Sequence, residues 1–241
     1  MKSASETVVR WPGSERVLVI MAKAPRPGEV KTRLASGLAP AAVAAFYGCL
    51  LDDTLALARS LNDVAVAIIC PDSDVDELTQ LAGNEVSVVA QKGEGLAAGL
   101  TSAFAHFTEN RQRRVIAFNS DSPHLPARVL ENAFETLSAH DVVIGPTHDG
   151  GYYLVGSKAS HPTLFANDGM GTSNALGGLT SRARDLELSI GFAEPFYDID
   201  VADDLSRLAD ELRLAPSKAP RTARWLRDWD RVAPRTGIGD L

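Results

Sequence analysis

The sequence predicts an α/β fold with a mostly parallel, mixed sheet that is covered by helices on both faces. Short apolar runs rich in β-branched residues do not alternate with polar ones, which is typical of strands buried on both faces. These runs lie at residues 17–22, 64–69, 86–89, 115–118 and 142–144. Segments with helical spacing separate the runs, and this alternation favours a parallel sheet between two helical layers.

The predicted helices and one hairpin fill the stretches between the runs. Pro40 opens a segment in which apolar residues recur at helical spacing, and proline suits the first turn of a helix. Further helices are predicted at residues 74–81, 96–107, 127–137, 174–186 and 201–212, and a short terminal helix that packs through its tryptophans follows Leu214. Residues 148–151 (His-Asp-Gly-Gly) lie between apolar runs and indicate a hairpin, so the sheet should become mixed there.

Length and composition predict one globular domain. The chain has 241 residues, of which 45% are hydrophobic and 23% charged, and this excludes disordered, coiled-coil and collagen-like proteins. We expect a flexible N-terminal segment at residues 1–16, the domain at residues 17–214, and a C-terminal helix and tail at residues 215–241.

The net charge and the apolar stretches of the chain limit which classes of partner we expect it to bind. A net charge of −7 argues against nucleic-acid binding, which favours a basic excess. The N-terminus lacks an uninterrupted apolar leader, and the apolar-rich stretch at residues 38–51 is too short to span a bilayer. We therefore expect a cytoplasmic protein with no membrane partner; the sequence does not indicate its oligomeric state.

A long connection follows the first predicted strand. The connection formed by residues 23–40 is long for a link between a strand and a helix. Long loops in compact domains are often functional. Gly28 would let backbone amides approach a ligand, and Lys31 and Arg33 could hold phosphate oxygens. The glycine spacing is not that of a Walker loop. A solvent-exposed basic loop without a ligand is the alternative interpretation.

Carboxylates follow the later strands. Asp121 comes directly after the fourth run, where ligands bind in such sheets, and it could hold a divalent cation that bridges phosphate oxygens. Asp198 and Asp200 alternate along an extended segment, so only one of them can face the same crevice. A turn role for Asp121 and a helix-capping role for Asp200 are the structural alternatives.

Taken together, four segments resemble the signatures of a bacterial family of glycosyltransferase-A-like proteins. The family includes nucleotide-diphospho-sugar transferases and transferases of the arsenosugar or selenodomain-associated type. The segments are residues 21–34 (MAKAPRPGEVKTRL), 119–123 (NSDSP), 145–154 (GPTHDGGYYL) and 198–205 (DIDVADDL). The resemblance extends over residues 17–214. Asn119, Ser122 and His124 depart from the family pattern, and residues 91–99 follow it only in part.

The resemblance implies a glycosyltransferase-A-like fold, a Mg²⁺ or Mn²⁺ cofactor and a set of site residues. The implied nucleotide-binding residues are Ala22, Lys23, Gly28, Lys31, Arg33, Gln91 and Gly95. The implied metal ligands are Asp121, Asp198 and Asp200. Asp149 and Asp121 would be catalytic, with Gly150, Gly151 and Tyr152 beside the sugar or acceptor.

Three functions fit these residues. The first is a metal-dependent transferase that moves a sugar from a nucleotide-diphospho-sugar to a small-molecule acceptor, in which Asp149 orients an acceptor hydroxyl or acts as its base. The second is a guanylyl- or cytidylyltransferase-like enzyme that uses a nucleoside triphosphate and a phosphorylated small molecule. The third is a catalytically silent nucleotide-binding protein.

Overall fold

The structure is a computed structural model that describes residues 14–36, 38–109, 113–166 and 174–232. Its strands are β1 (Arg16–Met21), β2 (Val64–Cys70), β3 (Ser87–Ala90), β4 (Arg114–Asn119), β5 (Val142–Pro146), β6 (Tyr152–Ser157) and β7 (Ile190–Phe192). Its helices are α1 (Pro40–Arg59), α2 (Val75–Ala82), α3 (Gly95–Thr108), α4 (Ala127–Ala139), α5 (Ala175–Asp185), α6 (Ala202–Leu214) and α7 (Pro220–Val232). Most of the predicted N-terminal segment 1–16, and the tail after residue 232, lie outside the described residues.

The strands form one mixed sheet in the order β3-β2-β1-β4-β6-β5-β7. β6 runs antiparallel to its neighbours β4 and β5, and the remaining neighbours pair in parallel. The predicted fold class and the hairpin around residues 148–151 are therefore confirmed. The sequence analysis did not identify β7, which contains three residues with Gly191 at its centre.

Both faces of the sheet are buried, as the non-alternating strands predict. In β1, Leu18 and Ile20 face the layer of α1, α2, α4, α6 and α7, whereas Val17 and Val19 face α3 and α5. All four side chains are fully buried. Helices therefore cover both faces, and the carboxyl ends of the strands open along one edge.

α1 is a core helix that begins with proline, as predicted. Within the described ranges it is the one helix that is long and apolar enough to span a membrane by length and composition. Inside the fold, 56% of its apolar stretch is buried, as is typical of a core helix. Phe46 of α1 packs on Trp225 of α7, with ring centroids 5.0 Å apart.

The position of the functional cleft follows from the strand order. The chain winds outward from β1 to β2 and β3, then returns to place β4 on the other side of β1. The connections that leave β1 and β4 therefore diverge and leave a crevice at their carboxyl ends, the usual ligand position in open α/β sheets. This arrangement brings the loop at residues 22–34 beside Asp121.

His124 packs the segment that carries Asp121 against residues 196–200. Its ring centroid lies 4.9 Å from that of Phe196 and 4.6 Å from that of Tyr197. The residue is 1% exposed, and neither ring nitrogen has a hydrogen-bond partner within the described part of the chain. Burial lowers the pKa of His124 to about 4, so the ring is neutral at pH 7.

Asp53 fixes the start of α7 from within α1. Its carboxylate accepts hydrogen bonds from the backbone N–H of Arg221 at 3.2 Å and of Thr222 at 2.8 Å. Asp53 is 3% exposed, whereas the neighbouring pair between Asp52 and the Arg221 guanidinium, at 2.5 Å, is partly exposed to solvent. The buried carboxylate thus provides the helix cap on which the docking of α7 depends.

We predict that Asp53→Ala lowers the free energy of unfolding by about 2 kcal/mol, because two N–H groups of α7 lose a charged acceptor. Urea denaturation measures this change. Asp52→Ala is the matched control and should cost less than about 1 kcal/mol, as expected for an exposed ion pair. Equal losses in the two variants would contradict the capping role.

Acid should destabilise the fold through His124. The pKa of His124 falls from its ordinary value of 6.5 to about 4 on folding. Between these two pH values the unfolded chain binds more protons than the folded chain, so stability is lost as pH falls. The loss at about pH 4 should be on the order of 3 kcal/mol relative to pH 7. His124→Phe should remove this component in urea denaturation at the two pH values, and His148→Gln in the exposed hairpin is the control. An unchanged pH dependence in His124→Phe would argue against it.

Candidate functional site

The loop after β1 is anchored to the beginning of α2. The backbone N–H of Ala24 donates to the Asp74 carboxylate at 2.9 Å, and the Arg26 guanidinium contacts the same carboxylate at 2.8 Å. Arg26 also donates to Glu77 at 3.0 Å and to the carbonyl of Ser73 at 3.0 Å. Arg26 is therefore occupied in holding the loop in place.

Lys31 is the cation that this loop directs inward. The flanking apolar residues Val30 and Leu34 are buried in the core, which fixes the backbone between them. Lys31 itself adopts a left-handed conformation with φ of 46°, which is uncommon for a residue with a side chain. Its side chain is 7% exposed. Gly28, at φ of 81°, forms the turn before it.

Asp121 emerges beyond β4 within a network of hydroxyl groups. The Tyr47 hydroxyl lies 2.9 Å from Ser120 Oγ, and the Ser120 hydroxyl donates to Asp121 Oδ1 at 3.3 Å. The backbone N–H of Lys23 donates to the same Tyr47 oxygen at 3.2 Å. Tyr47, a residue of α1, thus connects the start of the loop after β1 to Asp121 through Ser120.

The segment with Asp198 and Asp200 is hydrogen-bonded to the segment with Asp121. The Ile199 N–H donates to the Asp121 carbonyl at 3.1 Å, and the Ser122 hydroxyl donates to the Tyr197 carbonyl at 3.0 Å. Ile199 is fully buried, so the aspartates on either side of it are held at the edge of the cleft.

The alternative capping role of Asp200 is wrong. α6 begins at Ala202, and the carboxylate of Asp204 accepts hydrogen bonds from the backbone N–H groups of Asp200 at 3.0 Å and Val201 at 2.9 Å. Asp204 occupies the third position of the helix and reaches back to its start. The carboxylate of Asp200 is therefore left for the ion cluster described next.

An ion cluster forms where these three segments meet. Lys31 Nζ lies 2.7 Å from Asp121 Oδ2 and 3.6 Å from Asp200 Oδ1, and an Arg33 guanidinium nitrogen lies 2.5 Å from Asp200 Oδ2. Burial lowers the pKa of Lys31, but the negative charges of Asp121 and Asp200 outweigh it and raise the pKa overall. The ammonium is therefore charged at neutral pH and pairs with both carboxylates, and Arg33 adds a second positive charge beside Asp200.

Asp198 interacts electrostatically with this cluster. Burial, and then the charge of Asp121, raise the pKa of Asp198 to about 6, and the Lys31 ammonium opposes that rise. Asp200 lines the cleft, whereas Asp198 does not. The expectation that only one of them can face the crevice is wrong in its reason, because residues two apart in an extended segment share a face; Ile199 between them points into the core, and Asp198 interacts with Asp121 and Lys31.

The cluster forms one end of a cleft of about 1000 Å³ at the carboxyl ends of β1 to β4. The predicted site residues that line it are Ala22, Lys23, Lys31, Arg33, Gln91, Gly95, Asp121 and Asp200. The predicted residues that do not line it are Gly28, Asp149, Gly150, Gly151, Tyr152 and Asp198. Most of the phosphate-binding and metal-binding candidates thus lie together, and all of the sugar and acceptor candidates lie apart from them.

The other end of the cleft is a glycine loop held by Gln91. The Gln91 side-chain amide donates to the carbonyls of Gly93 at 2.8 Å and Gly95 at 3.3 Å. Both glycines have positive φ, 85° and 81°, which side chains disfavour. The Gln91 amide nitrogen is therefore engaged by the loop, and a ligand at this end would meet the loop backbone.

The β5–β6 turn holds Asp149 through one of its oxygens. Oδ1 accepts hydrogen bonds from the Thr147 hydroxyl and from the Gly151 N–H, the latter at 3.2 Å. The Thr147 hydrogen bond is the main cause that lowers the pKa of Asp149, and the positive charge of Arg33 contributes. Asp149 is exposed, yet it interacts electrostatically with both Arg33 and Asp198.

Gly150, Gly151 and Tyr152 of this hairpin are half-buried. A Cβ at Gly151 would lie 2.8 Å from Thr147 Oγ1, so the position needs glycine. The carbonyl of Gly150 accepts a hydrogen bond from Leu176 N–H at 3.0 Å, which joins the turn to α5. Tyr152 is half-buried and packs on the core layer beneath α3 and α5. Its suggested contact with a sugar stays a prediction.

Sequence reasoning missed residues whose role depends on distant partners. Tyr47 has the helical spacing of a core residue, and nothing in its neighbourhood along the chain marks a hydroxyl that contacts the site. Asp74 and Arg26, which fix the loop, are 48 residues apart. An acidic residue at the start of a helix was the available signal for Asp74, and it does not indicate a partner.

Residues 54–172 match the family described as "Uncharacterized protein conserved in bacteria (DUF2064)". No curated protein matches the chain. Among solved structures, a "putative nucleotide-diphospho-sugar transferase" from Desulfovibrio desulfuricans G20 superposes with a TM-score of 0.82 at 26% identity, over 91% of this chain and 96% of that one.

Two solved cytidylyltransferases share the fold at low identity. One is from Leptospira borgpetersenii, with a TM-score of 0.57 and 12% identity over 91% of this chain and 95% of that one. The other is the 4-diphosphocytidyl-2C-methyl-D-erythritol synthase of Anaerococcus prevotii, with a TM-score of 0.55 and 10% identity over 83% and 97%. These neighbours are transferases. The fold is that of nucleotide-diphospho-sugar transferases, and the resemblance to the glycosyltransferase-A-like family is confirmed; residues 54–172 are similar to the bacterial family DUF2064.

Proposed function

We propose that the protein is a divalent-metal-dependent transferase that binds a nucleotide-diphospho-sugar and moves its sugar to a small-molecule acceptor. The observation that carries this proposal is the ion cluster of Lys31, Asp121 and Asp200 at one end of the cleft. Cations and carboxylates side by side are what a metal–diphosphate group requires, since the cations bind phosphate oxygens and the carboxylates bind the metal.

The dimensions of the cleft support a nucleotide that lies across the strand ends. Its volume of about 1000 Å³ is at the upper end for small-molecule sites. From β3 to β4 it crosses three strand spacings, about 14 Å, which is comparable with an extended nucleoside diphosphate. We infer that the diphosphate lies against Lys31 and Asp121 and that the base lies against the loop at residues 91–96.

The carboxylates fit a divalent cation. The Lys31 ammonium lies between Asp121 and Asp200 and acts as a stand-in cation there. Within the described ranges no cluster of three His, Cys, Asp or Glu side chains forms a metal site. Two carboxylates completed by phosphate oxygens are a common arrangement for Mg²⁺. When bound, Mg²⁺ or Mn²⁺ would neutralise negative charge on the diphosphate leaving group.

Lys31 and Arg33 would add to that neutralisation. Lys31 is nearly excluded from water, where a fixed positive charge acts more strongly than at the surface. Arg33 is exposed. It forms an ion pair with Asp200 of the ion cluster, and its positive charge also helps to lower the pKa of Asp149. Both side chains can form charge-assisted hydrogen bonds to phosphate oxygens.

The β5–β6 turn would face the sugar or the acceptor. β6 neighbours β4 on the side away from the base, so the turn lies beyond the phosphate end of the cleft. Oδ1 of Asp149 is occupied by Thr147 and Gly151, and its lowered pKa keeps the group ionised. A carboxylate of low basicity suits the orientation of a hydroxyl group better than the removal of its proton.

Nucleotidyl transfer is the second candidate. The cytidylyltransferase folds among the neighbours and the Lys31-Thr32-Arg33 sequence support it, because a triphosphate could use the same cations. The two reactions break different bonds. Glycosyl transfer cleaves the bond between the sugar carbon and the phosphate oxygen and releases a nucleoside diphosphate, whereas nucleotidyl transfer cleaves the bond at the α-phosphorus and releases pyrophosphate.

We predict that the protein with Mn²⁺ slowly hydrolyses a nucleotide-diphospho-sugar, with water as a substitute acceptor, and releases the nucleoside diphosphate. Chromatography of UDP-, GDP-, CDP- and ADP-sugars and of the four nucleoside triphosphates measures the products. Asp121→Asn should reduce this release at least about 10²-fold, as expected when charge stabilisation at a leaving group is lost. Pyrophosphate from a triphosphate and a phosphorylated acceptor would favour the second candidate, and binding without either product would indicate a silent nucleotide-binding protein.

We predict that Asp149→Asn lowers turnover by about 10²-fold, because the acceptor hydroxyl loses the charge that orients it, while nucleotide affinity is unchanged. Asparagine can still accept the hydrogen bonds from Thr147 and Gly151, so the variant removes the charge and keeps the turn. Steady-state kinetics with the donor found above, together with calorimetric nucleotide binding, measure the two effects. Asp203→Asn removes a similar exposed charge from α6 and is the control. Full turnover in Asp149→Asn would leave this residue a turn-forming role only.

A further inference from the structure

A buried hydroxyl group of the core helix α1 lies between the two walls of the cleft. Tyr47 is 4% exposed, and its ring belongs to the apolar layer that covers one face of the sheet. Phenylalanine would fill the same space, so packing alone does not require the hydroxyl. A buried hydroxyl costs free energy unless it is hydrogen-bonded. Both hydrogen bonds of this one go to residues that line the cleft, Lys23 and Ser120.

The hydrogen bonds around Tyr47 form a chain with one direction. A backbone N–H can only donate and a carboxylate can only accept. The Tyr47 oxygen therefore accepts from the Lys23 N–H at 3.2 Å, and its own O–H donates to Ser120 Oγ, 2.9 Å away. The Ser120 hydroxyl in turn donates to Asp121 Oδ1 at 3.3 Å, the longest and therefore the weakest bond of the three. The chain runs from the loop after β1 to the carboxylate beyond β4.

α1 holds the backbone of Ser120 as well as its hydroxyl. Thr54 lies about two helical turns beyond Tyr47, on the same face of α1. Its hydroxyl donates to the carbonyl of Leu50 at 2.8 Å and to the carbonyl of Ser120 at 3.3 Å. Ser120 is 3% exposed, so water does not compete for these bonds. The residue before Asp121 is thus fixed on both sides by one rigid helix.

The hydroxyl of Tyr47 can donate to Ser120 but cannot take a proton from a substrate. Burial, and then the negative charge of Asp121, raise the pKa of Tyr47, so the group keeps its proton at neutral pH. Its influence on the site therefore passes through Ser120 to Asp121. There the two carboxylate oxygens have different partners, because Oδ1 accepts from Ser120 and Oδ2 lies 2.7 Å from Lys31 Nζ.

We propose that Tyr47 is a positioning residue that holds Oδ1 of Asp121 through Ser120, so that Oδ2 alone is presented to a cation in the cleft. This inference rests on the proposed function, in which Asp121 binds the divalent cation, and it adds a residue of the core to the site. Hydrogen-bond partners that orient a metal-binding side chain typically change metal affinity or activity by about 10- to 100-fold when they are removed.

The test is the affinity of the full chain for Mn²⁺, measured by electron paramagnetic resonance of the free ion with UDP, GDP, CDP or ADP present in turn. Tyr47→Phe keeps the ring and removes the hydroxyl, and it should weaken Mn²⁺ binding about tenfold. Ser120→Ala should weaken it by a similar factor. The double variant should lose no more than Ser120→Ala alone, because the path from Tyr47 to Asp121 is already interrupted.

Tyr153→Phe is the matched control. Tyr153 is also a fully buried tyrosine, but its hydroxyl donates to the carbonyl of Glu194 at 2.7 Å, and the residue does not line the cleft. Its variant should bind Mn²⁺ as wild type does. Urea denaturation checks that every variant folds. Ser120→Ala leaves the Tyr47 ring and its contact with Lys23 in place, so the test does not depend on the folding of Tyr47→Phe.

Kinetics separate positioning from general damage to the fold. In Tyr47→Phe, the Mn²⁺ concentration that gives half-maximal release of the nucleoside diphosphate should rise by the same factor as the dissociation constant. Release at saturating Mn²⁺ should stay close to that of wild type, because the groups that contact the ligand are unchanged.

Three results would overturn the inference and leave the proposed function intact. They are a folded Tyr47→Phe protein that binds Mn²⁺ as wild type does, an equal loss of affinity in Tyr153→Phe, and losses in Tyr47→Phe and Ser120→Ala that add up in the double variant. Wild-type protein that binds Mn²⁺ with none of the nucleotides would overturn both the inference and the proposed function.

Discussion

The ion cluster of Lys31, Asp121 and Asp200 is the contact that the remainder of the site depends on. Two carboxylates at the edge of a core repel each other and lose hydration, and a buried ammonium between them offsets both effects. Lys31 reaches that position because Val30 and Leu34 insert into the core on either side of it. The loop after β1 is thus held to the opposite wall of the cleft by charge as well as by packing.

The scaffold supplies this contact through the geometry of a parallel sheet. β1 and β4 are neighbours with divergent connections, so their carboxyl ends open a crevice at the phosphate end. Hydrogen bonds then join the walls: Ile199 N–H donates to the Asp121 carbonyl, and the Tyr47 oxygen accepts from the Lys23 N–H and shares a hydrogen bond with the Ser120 hydroxyl. The hydrogen-bonded backbone on each side of the cleft holds Lys31, Asp121 and Asp200 where their charges can pair.

The same features place different charged groups at different positions along the carboxyl ends of the strands. The cleft from β3 to β4 contains the cations and carboxylates suited to a diphosphate, and the β5–β6 turn with Asp149 lies beyond it. Asp149 is fixed by Thr147 and remains ionised, whereas Asp198, buried beside Asp121, has a pKa of about 6. Carboxylates of different basicity therefore occupy different places in one site.

The sequence predicts the sheet well because a strand buried on both faces must be apolar throughout. It also predicts that Asp121 follows β4 at the edge where ligands bind in such sheets, and Asp121 lines the cleft there. Contacts between distant segments cannot be predicted this way. Local pattern suggests Asp200 as a helix cap, yet Asp204 takes that role and leaves Asp200 to the ion cluster. Gln91 is one of the implied nucleotide-binding residues, and the sequence does not indicate that its amide nitrogen holds the adjacent glycine loop.

A crystal structure of the protein with Mn²⁺ and a nucleoside diphosphate, with anomalous data at the manganese edge, tests the central claim most directly. The account predicts one manganese peak between Asp121 and Asp200, with Lys31 Nζ moved onto a phosphate oxygen. A nucleotide bound elsewhere, or Lys31 still between the two carboxylates beside a bound diphosphate, would contradict it.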